Sequence, residues 1–398
     1  MAVESAVPIR LTGAAGRIDS SAIRDLLEVV DRGDVISLAG GLPAAETFPA
    51  AALADAFADI IATDPGALQY STTEGFGPLR QWVAERHGAE QDQVLITHGS
   101  QQALDLVVRA LVEPGATVVL ADPAYVGALQ VFRLAGARLA PVASDVDGLR
   151  VDAFADRLRA GARPALVYLV ANFDNPTGAT LSLQRRIVLA EMADHYGFVI
   201  VEDDPYGELR WAGDALPPMR SFTDRAVTLG TVSKIVCPGL RIGYSIAPRP
   251  LAEAMVVLKQ ALDLHTSTLS QRAIHRVVTT PGFMTSQVDR LRPLYRERCA
   301  TLVDALRAEL GDRFEFDPPQ GGMFVWGRLA DSIDTQELLP AAVEQGVAYV
   351  PGQAFAVEGD YRQSLRLSFA TTPPEQLLEG VRRLERALTK LSPRGESR

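Results

Sequence analysis

Thr228-Leu229-Gly230-Thr231-Val232-Ser233-Lys234-Ile235-Val236-Cys237-Pro238-Gly239-Leu240-Arg241-Ile242-Gly243-Tyr244 is the stretch on which the reading of this chain turns. An apolar run meets a Gly-Thr-x-Ser step, then Lys234, and Arg241 follows seven residues later. An amine among uncharged neighbours loses its proton more readily than one in water, which suits a lysine that condenses with a carbonyl. The hydroxyls of Thr231 and Ser233 and the planar donor fork of Arg241 suit a phosphate. A single ligand carrying both groups, pyridoxal 5'-phosphate (PLP), satisfies the whole stretch. The competing reading is a buried turn with a snorkelling lysine and a surface arginine, so the flanking sequence has to arbitrate.

Working outward, apolar runs at residues 94–97, 117–120, 165–170, 198–201 and 227–229 read as buried strands, and 242–246 follows the lysine turn. Between them lie helical patterns such as Leu104, Val107, Val108 and Leu111, and a helix over 183–195. Continuous apolar strands alternating with helices predict an α/β fold whose largely parallel sheet is covered on both faces. Ligands of such sheets bind beyond the carboxyl ends of the strands. Those ends carry Tyr125, Asn175, Asp203, Tyr206 and Lys234. After the first strand, His98-Gly99-Ser100-Gln101-Gln102 turns into a helix, giving free N–H groups and a favourable dipole for an anion.

Residues 1–17 read as an N-terminal arm. Asp19-Ser20-Ser21 then offers a helix cap before Ile23, Leu26, Leu27 and Val30, with Arg24 off the apolar face. Residues 35–43 are extended and contain the Gly40-Gly41 turn, where backbone can approach a ligand closely. Beyond Pro281, the spacing of Val288, Leu291, Leu294, Leu302, Leu306 and Leu310 predicts one long helix bent at Pro293. It leads into a smaller α+β unit with strands expected at 321–326, 347–350 and 365–369, and a last helix turning Leu377, Val381, Leu384 and Leu388 inward. The expected division is the arm, a segment 18–45 packing with the small domain, a large domain 46–285 and a small domain 286–398.

With 398 residues the chain exceeds one ordinary core, and its net charge of -10 argues against a general nucleic-acid binder. Cys237 and Cys299 form neither a disulfide framework nor a metal-ligand spacing, so no metal is expected. No run approaches the roughly 20 apolar residues of a membrane span, and no signal peptide is evident, so a cytoplasmic protein is expected.

The motifs Gln69-Tyr70-Ser71…Glu74-Gly75, Gly99-Ser100-Gln101-Gln102, Asn175-Pro176-Thr177-Gly178, Glu202-Asp203-Asp204-x-Tyr206, Ser233-Lys234-x-x-x-Pro238-Gly239-Leu240-Arg241-x-Gly243 and Leu365-Arg366-Leu367-Ser368-Phe369 stand in one order along the chain. Together they resemble the fold type I PLP-dependent class I/II aminotransferases, in the branch of the 2-aminoadipate, aromatic and multi-substrate enzymes. The resemblance implies a large domain with a mostly parallel seven-stranded sheet sandwiched by helices, a small α+β domain, and a homodimer with shared sites. It implies transfer of an amino group between an L-amino acid and a 2-oxo acid, with glutamate and 2-oxoglutarate as the commonest pair. It makes Lys234 the Schiff-base lysine and proton shuttle, Asp203 the partner of the pyridine nitrogen, and Asn175 and Tyr206 the partners of the ring oxygen. Tyr125 would stack on the ring; Ser100, Gln101, Thr231, Ser233 and Arg241 would hold the phosphate, with Tyr70 reaching the neighbouring subunit's. Arg366 would fork onto the α-carboxylate, beside Gly40, Gly41 and Asn175, and Arg24 matches an arginine that can approach a side-chain carboxylate. Departures from the usual family text are Ala171, Asp174, Val232 and Cys237; Asp174 would add negative charge if it pointed inward. The same fold and cofactor residues also serve lyases, cyclases and oxidases, which stand as the alternative.

Overall fold

The computed structural model describes residues 12–13, 15–17 and 34–391; Arg24 and the helix expected around it lie outside the described residues. In chain order the strands are β1 (Ile36–Ser37), β2 (Val94–His98), β3 (Thr117–Asp122), β4 (Arg138–Asp145), β5 (Gly148–Leu149), β6 (Leu166–Val170), β7 (Val199–Asp203), β8 (Ala226–Thr231), β9 (Ile242–Ile246), β10 (Phe314–Phe316), β11 (Phe324–Leu329), β12 (Val347–Ala348), β13 (Val350–Pro351) and β14 (Ser364–Ser368). The large sheet has the order β2-β9-β8-β7-β6-β3-β4-β5. β8, β7, β6, β3 and β4 pair in parallel, while β9 runs antiparallel to both of its neighbours. The sheet thus holds eight strands rather than the expected seven, because the two-residue β5 forms a hairpin on the edge strand β4.

Every residue of β6, β8 and β9 is buried. That is why these segments read as unbroken apolar runs: helices cover both faces of a parallel sheet. Helix Gly99–Leu111 buries Leu104, Val107 and Val108. Helix Leu183–Tyr196 buries Leu189, Ala190 and Ala193. No helix of the described residues is long and apolar enough to cross a membrane. Both cysteines are buried and unpaired, and burial pushes the Cys299 thiol up to about 12.

A single helix, Phe283–Glu309, contains Pro293 and leads to a second sheet of order β10-β11-β14-β13. Its Tyr295 is fully buried, and the phenol oxygen accepts from Ala44 N at 3.0 Å, fixing the segment that follows the Gly-Gly turn. Helix Pro374–Leu391 closes the unit with Leu377, Val381, Leu384 and Leu388 wholly buried, each contributing about 1.5–3 kcal/mol through its burial.

Two expected strands are redrawn. The strand expected at 321–326 begins only at Phe324, because Gly321 and Gly322 lie against the Phe173 ring, where a Cβ on Gly321 would come within 2.1 Å of it. The strand expected at 347–350 splits around Tyr349. β12 pairs with β1 in parallel, whereas β13 pairs with β14 antiparallel.

Candidate active site

A cavity of about 390 Å³ opens beyond the carboxyl ends of β6, β7 and β8. Strand ends supply Asp203, Tyr206, Thr231, Ser233 and Lys234, and the loop after β6 supplies Asn175. Ser100 and Gln101 reach it from the first turn of helix Gly99–Leu111, and Tyr125 from the loop after β3. Gly41 and Leu42 of the N-terminal segment, Arg241, and Arg366 of β14 complete the wall.

Lys234 Nζ donates to Gly41 O at 2.8 Å. Its amine is pulled down to about 8, first by loss of water and then by the positive charges of Arg241 and Arg366; Asp203 opposes this. Asp203 Oδ2 accepts from the Tyr168 phenol at 2.9 Å, across from the neighbouring strand β6. Its Oδ1 is buried without a partner among the described residues. Burial lifts the Asp203 carboxyl to about 7, against the Tyr168 bond and the nearby lysine. A partnerless carboxylate oxygen in such a wall calls for a cationic N–H, which a protonated pyridine nitrogen provides.

The anion end is built from backbone closeness. Gly99 has φ +73°, and a Cβ there would meet the Arg241 guanidinium at 2.5 Å. Gly243 lies so near the start of the helix that its Cβ would come within 2.3 Å of the Gly99 carbonyl carbon. Only glycine lets the strand after the lysine turn press the helix N-terminus and Arg241 into one cradle. Thr231 Oγ1 donates to Ser233 Oγ at 2.8 Å, so both hydroxyls stand side by side. The Gln101 side-chain amide instead donates to Gly127 O at 2.9 Å, tying the cradle to the helix that follows Tyr125.

Arg366 is the charged group at the opposite wall, only 1% exposed. It donates to Asn175 Oδ1 and to Ala39 O, each at 2.6 Å, while its Nε has no partner among the described residues. The aromatic rings of Phe324 and Phe355 lie 4.2 Å and 5.0 Å from the guanidinium carbon. Burial lowers its pKa to about 10. Asn175 also hydrogen-bonds the Tyr206 phenol, whose pKa burial pushes up strongly. One amide therefore links the guanidinium to the tyrosine. The donor set fits PLP: a deprotonatable amine, a carboxylate with a waiting oxygen, a phosphate cradle, and two partners for a ring oxygen.

Some expected residues stand elsewhere. Gly40 is buried but outside the cavity wall, which Gly41 joins. Tyr70 is 78% exposed, edge-on to His265 at 5.8 Å, and does not line this chain's cavity. Asp174 turns into its own loop, its Oδ2 accepting from Thr177 Oγ1 at 2.8 Å, so its charge is not presented to the ligand space. Tyr168 and Gln130 were not expected in the site. A tyrosine within an apolar strand carries no signal beyond packing, and only the pairing of β6 with β7 reveals its carboxylate partner.

The family profile described as aminotransferase class I and II matches residues 33–384. The 2-aminoadipate transaminase of Thermus thermophilus is 42% identical over 384 residues, covering 95% of this chain and 96% of that protein. The aromatic-amino-acid aminotransferase 1 of Thermococcus litoralis is 39% identical over 378 residues, covering 92% and 90%. The crystal structure of the α-aminoadipate aminotransferase of Thermus thermophilus, complexed with N-(5'-phosphopyridoxyl)-L-leucine, superposes with a TM-score of 0.90 at 40% identity, covering 96% of this chain and 97% of that one. A wall whose donors fit an aldehyde, a phosphate and a pyridine nitrogen stands in a chain whose residues 33–384 match the family and whose fold is shared with it, so this protein is a member of the class I and II aminotransferases, PLP-dependent enzymes of fold type I.

Proposed function

We propose that this aminotransferase moves an amino group from an L-amino acid to a 2-oxo acid in two half-reactions at one site, with glutamate and 2-oxoglutarate as one pair. The observation that carries the reading is the sharing of one cavity by Lys234, the partnerless Oδ1 of Asp203 and the aromatic-flanked Arg366. PLP, when bound, supplies the aldehyde for amine exchange and the electron sink for the carbon that loses its proton. Lys234 would hold the aldehyde and, once released, move the proton to and from the substrate carbon on its Nζ. Burial and the charges of Arg241 and Arg366 lower the pKa of this amine, which favours the neutral form that both tasks need. Asp203 Oδ1 would accept from the ring nitrogen, Asn175 and Tyr206 would hold the ring oxygen, and Tyr125 would pack on the ring. Ser100, Gln101, Thr231, Ser233 and Arg241 would hold the phosphate. Arg366, held by Asn175 and Ala39, would present its fork to the α-carboxylate beside Gly41.

A homodimer belongs to this reading. Leu68 and Tyr70 are exposed, as are Leu262 and Leu264, and the Tyr70 ring meets that of His265 in the same loop as Leu264. A partner subunit seated there would cover these side chains and receive Tyr70 at its own phosphate cradle. The names of the two relatives direct the choice of donors to an acidic and an aromatic amino acid, and Arg24 is assigned to an acidic side chain.

The test is the visible spectrum of the purified protein before and after glutamate, 2-aminoadipate, leucine, phenylalanine and arginine, with 2-oxo acid assayed alongside. A yellow band that bleaches with stoichiometric 2-oxo acid is the expected result. Ammonia release in place of a reaminatable product would instead mean a lyase or oxidase on this fold. Lys234→Ala is expected to keep the fold and lose turnover; undiminished transamination by that variant would remove Lys234 from its role.

A further inference from the structure

Asp122 ends β3, three residues before Tyr125, and is not itself part of the cavity wall. Its carboxylate is buried, yet its partners come from the other unit of the molecule. Oδ1 accepts from Val357 N at 3.0 Å, and Oδ2 accepts from Glu358 N at 3.1 Å and Gly359 N at 2.8 Å. Tyr361 adds a side-chain hydrogen bond to the same carboxylate. Three successive backbone N–H groups form an anion nest, and here the chain fills that nest with its own side chain. One step along, Ala124 N donates to Phe355 O at 2.9 Å.

Both ends of this tie lead to the site. On one side, residues 122–124 run directly into Tyr125. On the other, the captured loop begins at Phe355, whose ring lies 5.0 Å from the Arg366 guanidinium carbon. Tyr361 and Phe355 also pack edge-on against Trp326, at 5.9 Å and 5.8 Å, and Trp326 is the strand partner of Arg366. We propose that Asp122 is a positioning residue: by filling the nest of the 357–359 loop, it sets the separation of Tyr125 from Arg366 and so seats the substrate's α-carboxylate against the cofactor ring. This deepens the reading of Arg366 as the carboxylate fork and rests on it. A tie that only held the fold together would, when cut, lower stability without changing the balance between binding and turnover.

The test compares the holoenzymes of Asp122→Ala, Asp122→Asn and Arg366→Lys with the unmodified enzyme, by steady-state kinetics and by amide hydrogen exchange at residues 357–359. Asp122→Ala is expected to speed exchange at those amides and to raise KM for both amino acid and 2-oxo acid about tenfold or more, with kcat within roughly threefold and cofactor absorbance retained. Asp122→Asn keeps one acceptor oxygen and should fall between the two. Freed amides with KM unchanged in either variant would overturn the proposal. Loss of kcat with KM unchanged would do the same. If Asp122→Ala fails to fold, the KM of Asp122→Asn decides alone. Arg366→Lys separates the two levels of the argument: unchanged KM in that variant defeats the carboxylate fork itself, whereas raised KM there beside unchanged KM at Asp122 defeats only the tie.

Discussion

Lys234 carries a pH dependence that follows from its surroundings. Its folded pKa, about 8, lies below the ordinary lysine value of 10.5, so between those two values the folded protein binds fewer protons at this site than the unfolded chain. Stability of the cofactor-free protein therefore rises with pH across that window, as far as this group decides it. Its reactivity follows the same titration: an amine-selective reagent should modify Lys234 at a rate that rises with pH and levels off above about 8. A midpoint above 10 would show an ordinary, solvated lysine. The residue types of the site were readable because ligands of parallel sheets bind beyond the carboxyl ends of the strands. Tyr125, Asn175, Asp203, Tyr206 and Lys234 stood out on that ground. The direction of Asp174 was not readable, since nothing in the local text says that Thr177 will capture its carboxylate.

Among elements, the loop after β6 and the strand β7 are bridged by Arg186, which is wholly buried. Its donors reach Leu181 O, Pro217 O, Ala171 O, Asn172 Oδ1 and Glu202 Oε1. Glu202 is equally buried, and burial together with Asp204 lifts its carboxyl to about 7 despite the arginine. Arg186→Met leaves that acid without its counter-charge and should cost about 3–5 kcal/mol by chemical denaturation. The sign with pH is set by the raised pKa: the protonated acid is tolerated, so the loss should grow from pH 6 to pH 8 and be largely relieved by adding Glu202→Gln. A loss independent of pH would mean that packing, not charge, is what Arg186 supplies. Buried strands were legible as apolar runs, but β4 was not. It is an edge strand with Arg138 and Asp145 at its ends and exposed residues along it, so its text resembles a loop. Likewise, the division of 347–351 between two sheets follows from partners far away in sequence.

At the scale of the molecule, the proposed pairing of subunits has a direct assay. If Tyr70 serves the partner's phosphate cradle, mixing inactive Lys234→Ala with impaired Tyr70→Ala subunits creates mixed dimers in which one site is whole. Activity should recover to about a quarter of the unmodified level after subunit exchange, and no recovery would mean that each chain builds its site alone. The second sheet was foreshadowed in sequence because strand-helix alternation stops after Pro281, while the meeting of Arg366 with Asn175 and Ala39 was not, since the three lie far apart in the chain. β12 holds the ladder to Ile36 and Ser37, β13 holds the ladder to Leu365 and Arg366, and a single residue, its phenol anchored on Thr335 O at 2.6 Å, separates them. A strand slipped by one residue turns its side chains to the opposite face. Deleting one residue here would leave one ladder out of step, so this short spacer tolerates changes of letter far better than changes of length, although it touches no ligand.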